Sequence, residues 1–252
     1  MNFAMNRIRA ASIHFVSSIL VALAAGGLIF ALWYPSPYVD VSGGLELFFL
    51  VVGVDVTLGP LLTFAVFNPA KGWKVLRRDL AVIVILQVAA LAYGVHTMAI
   101  ARPVVLALEG ERFRVVIANA VVERELPMAP EDLRTLSWTG PRLVGTSQPA
   151  KEDVADAVMM GLAGADLGMR PRYWRHWSAA DGRAAIAAGK PLSALLKDHP
   201  EKQAAVDTAL AKAKRTQAQV LAVPVIARRL DWSVLVDKTT GEPVGFVPLD
   251  GF

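Results

Sequence analysis

Three apolar runs, at 13–33, 45–67 and 80–100, dominate the first hundred residues. The first lies in a stretch with no charge between Arg9 and Asp40, and the third has none. Only Glu46, near its start, and Asp55, at its middle, interrupt the second. Each run is about 20 residues, and as a helix rising about 1.5 Å per residue it spans the roughly 30 Å hydrocarbon core of a bilayer. Surface helices of soluble domains carry a polar face, and these runs lack one. They predict three transmembrane helices. The first run exceeds the roughly 7–15 apolar residues of a signal peptide, and no small-residue cleavage site follows, so it reads as an uncleaved span.

The rest of the chain is different in kind. Residues 1–100 hold six Lys/Arg and four Asp/Glu, whereas residues 101–252 hold twenty and eighteen. The 19% charged fraction of the whole chain is thus an ordinary domain diluted by an apolar anchor. The net charge of +4 divides evenly between the two parts, and the signs alternate along the second. No basic stripe of the kind phosphate binding needs is present, which excludes nucleic acid as a partner. The absence of cysteine removes disulfides, thiolate zinc sites and cysteine nucleophiles.

The short loops set orientation. Arg7 and Arg9 precede the first run, and Lys71, Lys74, Arg77 and Arg78 lie between the second and third, whereas residues 35–40 contain no Lys or Arg. The positive-inside rule places the N-terminus and the 68–79 loop in the cytoplasm. Residues 1–101 then form a three-helix anchor, and residues 102–252 a domain on the opposite face, the periplasm of a Gram-negative cell. Trp33, Tyr34 and Tyr38 read as an aromatic anchor at the interface.

Within that domain, strands are expected at 104–108 and 113–117 around a Gly-containing turn, at 136–139 and 142–146, and at 219–226, 232–236 and 244–247. Helices are expected at 151–162 and 179–188, and from 191 to 214 in two pieces broken near Pro200. Ser178 and Asp181 have the spacing of a variant capping box. The order describes an α+β domain whose strands share one sheet.

Polar residues inside the spans are the first functional candidates, because a mid-membrane charge costs at least ~2.5–3.5 kcal/mol. Asp55 is central in the second run. Matched by depth, its expected partners are Gln87 and Tyr93. His14 falls about 13 Å from that level if the first helix is centred on its apolar run. Asp55 is a packing tie, a contact for a partner's transmembrane helix, or part of a proton relay. Glu46 and Arg102 fall at one level and suggest an interfacial ion pair. Gly59-Pro60 predicts a kink, since Pro60 leaves the Val56 carbonyl without its donor, with Thr57 and Thr63 at hand for freed backbone groups. Gly26-Gly27 offers a close-packing surface on the first helix.

Catalytic signatures are missing. No H-E-x-x-H or G-x-S-x-G occurs, the four histidines are scattered, and Gly189-Lys190 lacks the rest of a P-loop. No catalytic residue, metal or cofactor is implied. One exported segment, Arg170-Pro-Arg172-Tyr173-Trp174-Arg175-His176-Trp177, is dense in cations and aromatics. It either covers the domain core or forms a protein-contact patch, with Arg172, Tyr173, Trp174, Arg175 and Trp177 as contact residues.

Taken together, several motifs resemble a known family. They are Ile13-His14, Leu32-Trp33-Tyr34-Pro35, Gly53-Val54-Asp55-Val56-Thr57-Leu58-Gly59-Pro60-Leu61-Leu62-Thr63, Val66-Phe67-Asn68-Pro69, Arg77-Arg78-Asp79-Leu80, Tyr93-Gly94-Val95-His96-Thr97 and Ala101-Arg102-Pro103. In this order they are similar to the type IV pilin accessory proteins of the TfpX/TfpZ kind, most clearly over residues 10–103. The resemblance implies a multi-pass inner-membrane protein that supports pilus assembly, or its balance with retraction, without catalysis. Major pilin or the assembly machinery would be its partner. It adds weight to Asp55, Gly59 and Pro60. The rival readings are a membrane-bound periplasmic hydrolase or transferase and an oligomeric transporter subunit built around Asp55.

Overall fold

The structure is a computed structural model that describes residues 2–229 and 231–252; Met1, the first residue of the expected anchor, lies outside them. The chain forms two compact units, one from residues 1–33 and 44–100, the other from residues 34–43 and 101–252.

The first, helical unit consists of α1 (Asn2–Leu32), α3 (Gly44–Val66) and α4 (Trp73–Ile100); a one-turn helix, α2 (Tyr38–Val41), belongs to the other unit. All three long helices are long and apolar enough to cross a membrane. Leu20, Leu23, Phe49, Leu50, Ile85 and Leu86 turn outward and are exposed, as a lipid-facing surface requires. At 31 residues α1 is the longest, and it begins well before its apolar run because nothing in Asn2–Ser12 breaks a helix. The Arg7 guanidinium donates to the Phe67 carbonyl just beyond α3 (2.8 Å), a cation placed where a helix C-terminus favours one. α3 packs on both neighbours by placing a large side chain over a glycine. Phe48 lies against Gly26 of α1, where an added Cβ would sit 2.7 Å from the ring, and Val51 lies against Gly94 of α4. Gly27, by contrast, faces open space. α3 runs unbroken through Gly59 and Pro60.

The second, globular unit is built on one seven-stranded sheet of order β4-β3-β1-β2-β5-β6-β7. Its strands are β1 (Pro103–Glu109), β2 (Arg112–Ile117), β3 (Arg142–Thr146), β4 (Trp174–His176), β5 (Val220–Ile226), β6 (Ser233–Asp237) and β7 (Pro243–Val247). The pairs β1–β3 and β2–β5 are parallel, and the other four are antiparallel. β1 and β2 form the expected hairpin, with Gly110 at φ +61° where a side chain is disfavoured. Every residue of β1 is buried, as expected of a central strand covered on both faces. Four helices complete the unit: α5 (Val154–Leu162), α6 (Ala179–Ala188), α7 (Leu192–Asp198) and α8 (Gln203–Ala213). The capping box of α6 forms as its spacing predicts, and the helical stretch after 191 breaks at a 3-10 turn, Pro200–Lys202.

Two expectations change. Residues 136–139 form an irregular loop, not a strand. Arg102 draws them in: its Nε donates to the Ser137 carbonyl (2.9 Å) and its guanidinium lies over the Trp138 ring. Conversely, Trp174–His176, unassigned by pattern, is an edge strand.

The larger surprise is the strap at 34–43. Val41 is fully buried in the same apolar cluster as Leu108, Phe113, Val236 and Phe246. Tyr38 meets Phe246 edge-on (5.2 Å), and Arg229 N–H donates to the Val41 carbonyl (3.3 Å). Tyr34 is 1% exposed. Tyr34 is thus buried and Tyr38 half-buried against the core of the globular unit, and burial pushes both phenols well above their ordinary pKa.

Candidate functional site

The polar residues of the helical unit converge on one level. His14 of α1 lies between α3 and α4, its Nδ1 2.5 Å from Thr63 Oγ1 and its Nε2 2.5 Å from Gln87 Oε1. Gln87 Nε2 in turn donates to the Asp55 backbone carbonyl (3.1 Å). The amide orientation fixes the directions. Gln87 Oε1 can only accept, so the neutral imidazole carries its proton on Nε2, and Thr63 donates its hydroxyl proton to Nδ1. A directed chain results: Thr63 to His14 to Gln87 to the Asp55 carbonyl. It begins and ends on α3 and ties in both flanking helices.

Gly59 makes the chain possible. An added Cβ there would collide with the Gln87 amide, so only glycine lets Gln87 reach the α3 backbone. Thr63, one turn further on, is buried beneath the imidazole.

This arrangement corrects three expectations. His14 is at the site and not 13 Å away, because α1 is centred near Ser17, not in the middle of its apolar run. Gln87 does reach Asp55, but at the backbone carbonyl. Tyr93 is 75% exposed on the outer face of α4 and takes no part. The threonines also act differently: Thr57 Oγ1 donates to the Gly53 carbonyl (2.7 Å), and Thr63 serves His14. The signal for His14 was an imidazole in an otherwise uncharged apolar run. What hid it was the assumption that a helix ends where its hydrophobicity does.

The Asp55 carboxyl points elsewhere. It borders a crevice of about 200 Å³ running between α1 and α4 over α3, which also touches His14, Ser18, Val52, Gln87 and Val88. Among the described residues, no hydrogen-bond donor or cation pairs with that carboxyl, although it is partly buried. Glu46 sits in the first turn of α3, whereas Arg102 belongs to the globular unit and is 6% exposed. No group of three His, Asp or Glu side chains among the described residues is placed to hold a metal ion.

In the globular unit, the segment at 170–177 is largely structural. Tyr173 and Trp174 are each 4% exposed, and Trp174 Nε1 donates to the Gly168 carbonyl (2.7 Å). Trp177 stacks on Phe113 (6.1 Å). Arg170, buried and missed as a distinct feature by sequence reading, pairs with Glu125 and Asp156 (both 2.6 Å). Arg172 lies 3.8 Å from Asp153 and 3.7 Å from Asp156, and Arg175 clamps Asp181. Burial opposes ionisation of Asp181, but the bonds from Arg175 and Ser178 prevail and hold its carboxyl below the usual range. His176, Arg175 and Arg172 are the parts of this segment that reach the surface.

Comparison with known proteins places the chain beside fimbrial assembly proteins. The family profile of the fimbrial assembly protein FimB matches residues 2–43, a span that contains α1 with His14 and the strap. The fimbrial assembly protein of Dichelobacter nodosus serogroup E1 is 35% identical over 229 residues, covering 90% of this chain and 89% of that protein. The serogroup I protein shows the same identity and coverage. The protein of serogroups C1 and C2 is 42% identical over 117 residues, covering 46% of this chain and 89% of that protein. No solved structure matches. With two relatives aligned along nearly their whole length at that identity, the chain belongs to the fimbrial assembly protein family.

Proposed function

We propose that this protein is a non-enzymatic accessory factor of fimbrial assembly in the inner membrane, of the type IV pilin accessory kind. It acts by contacting pilin or the assembly platform and so supports assembly or its balance with retraction. The observation that carries the reading is the near full-length relationship to proteins named for fimbrial assembly. The helices contribute a physical argument. A pilus subunit about to be assembled presents an apolar segment in the bilayer and a folded head outside it, and a three-helix anchor joined to a globular unit can meet both.

The orientation has two independent supports. The cations Arg7, Arg9, Lys71, Lys74, Arg77 and Arg78 cluster at one end of the spans and mark it as cytoplasmic. In addition, three crossings put the loop after α1 and the chain after α4 on one side, and the strap from that loop is part of the globular unit's core. The globular unit is then periplasmic.

Deleting the gene in a fimbriate host, with surface fimbriae counted by electron microscopy and pilin measured by immunoblot, tests the reading. Loss of fimbriae with pilin synthesis intact is expected; unchanged fimbriation overturns it.

A further inference from the structure

From the crevice beside Asp55 we infer that the helical unit has an open seat for one transmembrane helix of another protein, and that this helix carries a hydrogen-bond donor level with Asp55. The inference rests on the membrane-embedded assembly reading and names the binding site for it.

The helices are arranged as a layer, not a closed bundle. α3 packs along both neighbours, whereas α1 and α4 approach each other closely at few positions, joined through His14 and Gln87. From that level the gap between α1 and α4 continues past Val21, Val52, Val88 and Leu91, with α3 as its floor. Those residues span about two helical turns, or roughly 11 Å. Two ridges flanking a floor helix are three sides of a four-helix bundle, and one more helix closes it.

The chemistry of the wall selects the occupant. Around the crevice, His14, Thr63 and Gln87 satisfy one another, and Ser17 bonds the Ile13 carbonyl. The Asp55 carboxyl has no such partner among the described residues. An acyl chain offers it no donor. A helix is the spanning element that can carry a polar side chain to this depth with its own backbone satisfied. Hydroxyl, amide, amine or guanidinium groups all meet the requirement, because each donates to a carboxyl oxygen. The Val and Leu lining supplies the apolar contact on either side.

The test uses the full-length protein in the membranes of a fimbriate host. A photocrosslinking residue replaces Val88, in the crevice, or Leu86, exposed on the opposite face of α4. A specific adduct from position 88 and none above background from position 86 is expected. Its crosslinked peptide should map to a transmembrane segment with a donor side chain within one helical turn. Asp55→Leu should weaken the adduct about threefold to twentyfold, the range of an interhelical hydrogen bond, at unchanged protein level. Replacing the partner's donor by Leu should do the same.

Equal adducts from both positions, an adduct insensitive to Asp55→Leu, or adducts only to lipid or a second copy of this chain would overturn the inference. Fimbriation separates the two levels. If deletion abolishes fimbriae but the Asp55→Leu protein restores them fully, the seat is wrong and the function stands. If deletion has no effect, the function itself fails.

Discussion

The two units treat their buried polar groups in opposite ways. In the globular unit two deeply buried guanidiniums meet carboxylates: Arg114 bonds Glu109 and Asp166, and Arg170 bonds Glu125 and Asp156, while Arg102 donates to the Ser137 carbonyl. In the helical unit the buried Thr63 and the half-buried His14 and Gln87 are linked by hydrogen bonds in one chain that ends on the Asp55 carbonyl. The one carboxylate at that level, that of Asp55, takes no part in it. Charge pairs inside a domain are internal architecture. The Asp55 carboxyl pairs with nothing among the described residues, and the proposed seat gives it a partner from outside the chain.

If that contrast is right, the largest loss comes from breaking an internal pair. Arg170→Met leaves Glu125 buried without its partner, and breaking such a pair costs about 3–5 kcal/mol. Unfolding of the detergent-solubilised protein, followed by tryptophan fluorescence, should show the globular transition fall accordingly. The double variant Arg170→Met/Glu125→Leu should recover most of it, because two apolar groups leave no buried charge. A single variant as stable as wild type would remove one side of the contrast.

Next in size is the strap. Val41→Ala deletes two methylenes' worth of surface from a fully buried position, at about 2 kcal/mol. The loss should appear in the transition of the globular unit, although Val41 lies sixty residues or so before β1 in sequence. A change confined to the helical unit would contradict the shared core.

Legibility followed the range of the interaction. The three spans, the β1–β2 hairpin, the α6 capping box and the break at Pro200 all rest on neighbours within a few residues, and the sequence shows them directly. The strap is different: a ten-residue loop rich in aromatics suits a membrane interface equally well, and only the distant Phe246 decides. His14 was missed for a related reason. Depth along a helix was reckoned from hydrophobicity, and α1 continues through Arg9 and Arg7 to Asn2. Gly59 was singled out beside Pro60 as part of a kink, and the structure adds that it makes room for Gln87. Arg170 and Asp156 are fourteen residues apart, and no local rule joins them.

A smaller effect separates Gly59 from Asp55. Gly59→Ala forces the Gln87 amide away from the Asp55 carbonyl, and interhelical hydrogen bonds in membranes average about 0.6 and reach about 1.7 kcal/mol. Resistance of the helical unit to unfolding by sodium dodecyl sulfate should fall by that amount. Asp55→Asn should leave it unchanged, since the carboxyl bonds nothing within the unit. Equal losses would make Asp55 a packing residue and erase the contrast.

The smallest effect is a pH dependence confined to the globular unit. Asp181 has a folded pKa held below its ordinary value, and Asp237 likewise, first through the Thr239 N–H and then through Arg215. A carboxyl with a depressed folded pKa stabilises the fold fully above its unfolded pKa of about 3.9, and that contribution fades as pH falls through the folded value. Asp181→Asn removes the charge while keeping an oxygen for the Ser178 N–H, so at pH 7 it should cost about 0.5–1 kcal/mol, the scale of a helix cap. The gap between wild type and variant should start to narrow as pH falls below about 4 and close only below the depressed folded pKa of Asp181, where the native carboxyl is itself protonated. A gap that stays constant between pH 7 and pH 3 would mean that Asp181 holds α6 by shape alone, and that its pairing with Arg175 adds nothing to the globular unit.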